Sequence, residues 1–321
     1  MTCVGGEKME KAVDVRAAFN EYLHRIELNS TRVRTASLRY NAIKSQIESA
    51  LPEAKVKQVG SFQRKTKIRP AKDNGDLDID VLVILRIAHR FAKSHERSYS
   101  TNDGLEEVKS GLTDHDTYKA MKPRKDAPVV TLKYTDGFRF ELIPALIDGT
   151  GVHTSREEPA SYLVATANGW QPNDYDFDAA SITAMNQSDA VKGKLVPVIK
   201  ILKHFNRVHD IPLKSFHTEL LVATVLVPQL VQWNKARMTW SFQHMLAAYF
   251  SLAANRVQTP VQLVGSVTPA FDSELTSRQL RQVAKDFETL GETAWKLCEV
   301  DGSNAVKRWA KFMGDPFPNS I

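Results

Sequence analysis

Aspartates at positions 76, 78 and 80 open a segment that then turns wholly apolar: Asp76-Leu77-Asp78-Ile79-Asp80-Val81-Leu82-Val83-Ile84-Leu85. Side chains of a strand repeat every two residues, so these acids share one face, and the β-branched run behind them predicts a buried central strand. Paired carboxylates at a strand entry are hard oxygen donors suited to Mg2+. Asp78 and Asp80, beside the apolar run, are the expected ligands, and Asp76, further out, is a helper or a solvated loop acid. Standing alone, the pair reads equally well as an exposed strand end that only aids solubility.

Two cations about 4 Å apart need more oxygen ligands than two carboxylates and a triphosphate conveniently supply, so a third acid is sought. In Phe138-Arg139-Phe140-Glu141-Leu142-Ile143, the two aromatics and Leu142 share a face, while Glu141 points the other way with Arg139 and Ile143. This run follows Val129 to Tyr134 and the dipeptide Asp136-Gly137, which favours the turn matching strand twist and predicts a hairpin. Glu141 is therefore the third candidate ligand. Its plainer alternative is a surface glutamate paired with Arg139 or a lysine.

Upstream, Lys55 to Val59 alternates like a short strand and leads into Gly60-Ser61, a turn that offers N–H groups and a hydroxyl to phosphate. Phe62 anchors the turn, and Arg64 and Lys65 approach phosphate or remain solvated loop charges. A phosphate cradle beside a metal-binding strand points to nucleotidyl transfer.

The elements that must position these groups follow from periodicity. Residues 7–27 and 31–50 read as helices, the second capped by Ser30 or Thr31 with Leu38, Ile43, Ile47 and Leu51 on its apolar side. Residues 65–74 form a basic, turn-rich loop, and residues 102–121 a helix with a break near Gly111. Residues 148–192, rich in Gly, Asn, Asp and Ser, read as a crossover between two lobes. Helices are then expected over about 190–209, 215–232, 241–254, 273–300 and 303–313. Lys203 lies on the first of these, where it can reach phosphate as a point charge or snorkel at the surface; Ser215 starts the second, as a phosphate contact or an ordinary cap. His204, His209 and His217 have no persuasive partner and read as structural.

At 321 residues, 42% hydrophobic and 25% charged, the chain has the composition of a folded globular protein, and its net charge of +6 suits polyanionic ligands such as triphosphates or nucleic acid. Its only cysteines, Cys3 and Cys298, lie far apart, which implies neither a disulfide framework nor a zinc site and fits a reducing, cytoplasmic setting. No signal-peptide core or spanning apolar run is expected.

Taken together, these residues resemble the CD-NTase family, the cGAS/DncV-like nucleotidyltransferases of the polymerase β-like superfamily. The resemblance rests on Gly60-Ser61 with Arg64 and Thr66, on Asp78 to Val83, on Phe140-Glu141-Leu142-Ile143-Pro144-Ala145, on Lys203, on Ser215 to Glu219 and on the closing Trp309 to Phe317. It implies an α+β fold: a polymerase β-like nucleotidyltransferase core with a mixed β-sheet over 1–185, including the N-terminal helices, and a helical lobe over 186–321. The active site is expected in the cleft between them.

The resemblance also implies two Mg2+ ions, with Mn2+ as an alternative, on Asp78, Asp80 and Glu141. ATP, GTP or another NTP would be held by Gly60, Ser61, Arg64, Lys203 and Ser215. The implied reaction is in-line attack of a ribose hydroxyl on an α-phosphate with release of pyrophosphate. Repetition gives a cyclic di- or trinucleotide that activates an effector in bacterial antiphage defence. Neither an obligatory nucleic acid nor a membrane is expected, and the protein is expected to be a monomer. Glu141 departs from the Asp common in the wider superfamily. Competing readings are an RNA 3'-end nucleotidyltransferase of the poly(A) or CCA type, and a nucleotide-binding protein without turnover.

Overall fold

The computed structural model describes residues 5–71, 75–85, 99–147, 161–270, 275–300 and 304–320. It divides into a sheet unit, Leu28–Ala180 with Gly265–Pro269, and a helical unit, Met1–Glu27 with Ser181–Val264 and Ala270–Ile321. Residues 72–74 of the expected basic loop and 148–160 of the expected crossover lie outside the described residues.

In the sheet unit, α2 (Ser30–Ala50) is capped by Asn29, whose side chain accepts from the Arg32 N–H, rather than by Ser30 or Thr31. The strands are β1 (Lys55–Gln58), β2 (Leu77–Leu85), β3 (Arg124–Asp126), β4 (Val129–Lys133), β5 (Phe138–Ile147), β6 (Tyr162–Thr166) and β7 (Gly169–Asn173). They run in the order β1-β2-β5-β4-β3, with β6 on β5 and β7 on β6. β2 and β5 are parallel, and the Asp136-Gly137 hairpin joins β4 antiparallel to β5. β4 lies along the first half of β5 and β6 along its end; Pro144, with no N–H to give, falls where the partner changes.

Strand parity gives the sheet two unlike faces. Ile79, Val81, Val83, Phe140 and Leu142 pack with Ile43 and Ile47 of α2 and with Leu105, Val108 and Leu112 of α4 (Thr101–Thr113). On the other face Leu82, Ile84, Ile143 and Ala145 join Val59, Tyr162 and Val164 in a smaller cluster. Leu38, expected on the apolar side of α2, is instead 61% exposed. The expected 102–121 helix is two helices, α4 and α5 (Asp116–Ala120), separated at Asp114 and His115 rather than at Gly111, which packs against Leu51.

Two departures concern organisation. The supposed crossover carries β6, β7 and α6 (Tyr175–Gln187), all paired or helical despite their polar, Pro-containing sequence. Also, α1 (Gly5–Ile26) belongs to the helical unit and not, as expected, with the sheet. Val15, Ala18, Phe19, Tyr22 and Ile26 recur at helical spacing and enter the core built by α7 (Leu195–Val208), α8 (Ser215–Lys235), α9 (Phe242–Arg256), α10 (Ser277–Cys298) and α11 (Asn304–Met313). Phe19 meets Trp309 edge-on at 5.3 Å, and Phe317 at 5.0 Å. Gly265–Pro269 returns to the sheet unit, where the Ser266 and Thr268 hydroxyls donate to Asp178 at 2.8 and 3.1 Å.

Candidate active site

The acids of β2 and β5 are set by register. Parallel pairing places Asp80 opposite Glu141 and Asp78 opposite Arg139, so four charged side chains of like parity stand on one face of two adjacent strands. Arg139 answers the carboxylates: its Nε donates to Asp78 Oδ1 at 2.7 Å, and its Nη2 lies 2.9 Å from Glu141 Oε1. The hydrogen bond that Arg139 gives to Asp78 is the main reason its guanidinium is held above its ordinary pKa. Asp76 pairs outward with Lys133 at 2.9 Å, and that hydrogen bond draws its carboxyl below the usual range. Lys133 is paired opposite Arg139, so Asp76 lies at the outer end of the same charged row, as a solvated acid.

Glu141 is pushed above its ordinary value, chiefly by burial; Arg139 opposes this, while Asp78, Asp80 and Asp126 add to it. Burial and the three aspartates thus disfavour the Glu141 charge, and Arg139 favours it. Among the described residues, no group of three or more His, Cys, Asp or Glu side chains is arranged to hold a metal ion. Arg139 instead engages both Asp78 and Glu141. The donor set fits a hard divalent cation by its chemistry, provided Arg139 yields those oxygens.

Gly60 begins a one-turn helix, α3 (Gly60–Gln63), directly after β1. Its φ of 68° is left-handed, and a Cβ there would fall 1.9 Å from Asp80 Oδ2. Only glycine satisfies both conditions. The turn is locked to β2 by the Val59 N–H, which donates to the Asp80 carbonyl at 3.0 Å, so Ser61 stands one residue from the backbone on which the Asp80 carboxylate rests. Ser61 is half-buried, and its carbonyl accepts from the Thr66 N–H at 2.9 Å. Arg64 is only 6% exposed, so it is not a solvated loop charge. Its charge acts on Tyr175 and Asp178, lowering the pKa of each against the stronger effect of burial.

Sequence reasoning missed a polar group next to this turn. Lys57 Nζ lies 3.0 Å from Asp176 Oδ2 and 3.2 Å from the Tyr162 hydroxyl, which itself donates to Asp176 at 3.1 Å; Gln63 donates to the same carboxylate at 2.8 Å. Burial pushes the Tyr162 phenol up to about 12. The residues come from β1, α3, β6 and α6, and no local spacing connects them. Arg139 was legible, sharing parity with Glu141, and the plain alternative of a Glu141–Arg139 pair is what the structure contains.

Lys203 and Ser215 lie on the helical unit. Lys203 is buried, and its ammonium pairs with Glu219 at 3.0 Å, the two side chains being 4% and 1% exposed. Beside them Asn206 donates to the Thr218 hydroxyl at 2.9 Å. Ser215 is the exposed first residue of α8, and no side chain caps that helix start. His204 accepts or donates at 2.8 Å with the Tyr22 hydroxyl inside the same unit.

Residues 13–171 match the family model described as the Second Messenger Oligonucleotide or Dinucleotide Synthetase domain. A probable cyclic nucleotide synthase of Bacillus cereus (strain VD146) is 22% identical over 286 residues, 81% of each chain. CdnC of Escherichia coli MS115-1, solved with ATP, superposes with a TM-score of 0.69 at 14% identity, covering 94% of this chain and 98% of that one. The CD-NTase CdnG of Bradyrhizobium diazoefficiens, solved in complex with GTP, superposes with a TM-score of 0.65 at 14% identity, covering 91% and 94%. The fold is that of the polymerase β-like nucleotidyltransferases, and residues 13–171 belong to the family of second-messenger oligonucleotide or dinucleotide synthetases, the CD-NTases.

Proposed function

We propose that this nucleotidyltransferase joins ATP, GTP or other NTPs, without a template, into a cyclic di- or trinucleotide. The observation that carries the reading is the register of β2 and β5, which sets Asp78, Asp80 and Glu141 on one face, with the Gly60-Ser61 turn against Asp80. Asp78, Asp80 and Glu141 are the proposed holders of two Mg2+ ions, with Mn2+ as a substitute. When bound, the ions would acidify the acceptor ribose hydroxyl and neutralise charge on the leaving pyrophosphate.

The chain's own residues supply the rest. Gly60 leaves its backbone open to close approach, Ser61 offers a hydroxyl to the donor phosphates, and buried Arg64 fixes the turn electrostatically against α6. On the helical unit, Ser215 is proposed as a phosphate contact. Lys203 is proposed to act on the nucleotide through its fixed charge, held by Glu219. The product is proposed to act as a soluble signal that switches on an effector in antiphage defence.

Pure protein incubated with Mg2+ and the four NTPs, without nucleic acid, is expected to give phosphatase-resistant products by mass spectrometry. Extension of an added RNA end in place of such products would make the protein an RNA 3'-end transferase. Nucleotide binding without any product would make it a binding protein.

A further inference from the structure

The helical unit contains a cavity of about 500 Å³ between the middle of α1, the segment before α9, the first turn of α9 and the end of α10. It shares no residue with the carboxylate face or the Gly60 turn. Its volume falls in the range of small-molecule sites, roughly 300–1,000 Å³. Phe19, Phe242 and Met245 give it an apolar floor, each at most 7% exposed, and Trp240 adds a half-buried indole at the wall. Aromatic walls of this kind favour a flat ring as occupant.

Its charge is one-sided. Among the described residues, Arg16 and Lys194 line the cavity and no carboxylate does. The Lys194 ammonium stands 5.2 Å from the centroid of Phe242, where the ring face steadies it without neutralising it. The wall also includes the start of α9, a helix of 15 residues whose Ser241 cap makes no side-chain bond to the first-turn N–H groups. That hydroxyl is engaged with Gln243 and His244, at 2.5 and 2.9 Å. Unanswered N–H groups at a helix start favour negative charge. Burial lowers the pKa of His244 and pushes the Cys298 thiol up to about 12, so both line the cavity as neutral groups near pH 7.

From this combination we infer that the helical unit carries a second binding site, separate from the catalytic face, for a small aromatic anion: a planar ring against Phe242 and Trp240, and a carboxylate, sulfonate or phosphate toward Lys194 and Arg16. The probe is 1-anilinonaphthalene-8-sulfonate, titrated into the full-length protein and followed by its fluorescence. Saturable binding at one site is expected. Lys194→Glu and Arg16→Glu, both at solvent-reached positions, are each expected to weaken it by about tenfold, equivalent to 1.4 kcal/mol, with an unchanged melting temperature. Lys194→Arg is expected to restore it.

Competition then identifies the anion. Displacement of the probe by salicylate but not AMP assigns an aromatic carboxylate, and the reverse a nucleotide phosphate. No saturable binding, or equal affinity in the charge-reversed variants, would overturn the site. Activity with NTPs bears on the catalytic reading alone, so the two ideas fail separately.

Discussion

Two cation–carboxylate arrangements, one in each unit, are made of similar groups and differ in their surroundings. Arg139 holds Asp78 at 2.7 Å and Glu141 at 2.9 Å, with half of the Asp78 side chain open to water. Lys203 holds Glu219 at 3.0 Å with almost nothing exposed. Water screens the first set, so its pairings contribute little and exchange readily. In the second, either charge alone would be left buried without compensation. Carboxylates proposed to trade a guanidinium for cations need the first environment; a lysine that ties α7 to α8 needs the second.

The largest test of that contrast is chemical. Asp78→Asn combined with Asp80→Asn is expected to lower product formation by at least on the order of 10²-fold while the protein stays folded by circular dichroism. Near-normal turnover in the mass-spectrometric assay would remove both acids from the working set. Next comes the buried pair: Lys203→Met alone is expected to cost about 3–5 kcal/mol in urea unfolding, and Lys203→Met with Glu219→Leu to recover most of it. A single variant within about 1 kcal/mol of the parent would reduce the pair to an ordinary surface bridge.

Smaller effects separate the two units by pH, with opposite signs. Glu141 has its folded pKa raised, first by burial, so its contribution is full below the ordinary value of 4.5 and is lost as pH rises through the folded value. Glu141→Gln should therefore raise the melting temperature at pH 7 while activity falls, with the gain vanishing below pH 4.5. His204 has its pKa lowered from 6.5 to about 4, first by burial and then by Arg207. Its contribution is present above 6.5 and lost as pH falls toward 4. His204→Gln is expected to flatten that part of a melting-temperature profile; an unchanged slope would assign the loss to other groups.

What the sequence made legible was whatever a strand or helix repeats locally. The parity of Asp78 and Asp80 and the Asp136-Gly137 hairpin led to β2, β4 and β5, and the apolar stripes of α7 to α11 set those helices within a few residues. The remainder depended on pairings between distant segments. Lys57 and Asp176 are 119 residues apart, and Lys203 meets Glu219 across two helices. Arg139 bonds Asp78 only because β2 and β5 align in one register. β6 and β7 were missed because Pro172, Gly169 and the polar residues around them weaken strand propensity, and pairing to β5 overrides it.

The membership of α1 constrains the order of assembly. On a ribosome, Val15, Phe19 and Tyr22 emerge before the sheet, yet their packing partners are encoded after position 181, so this helix must wait while the whole sheet is synthesised. A fragment beginning at Ser181 would lack the aromatic plug that Phe19 drives against Trp309, and it would need residues 5–26 supplied as a separate peptide to become a cooperative folding unit.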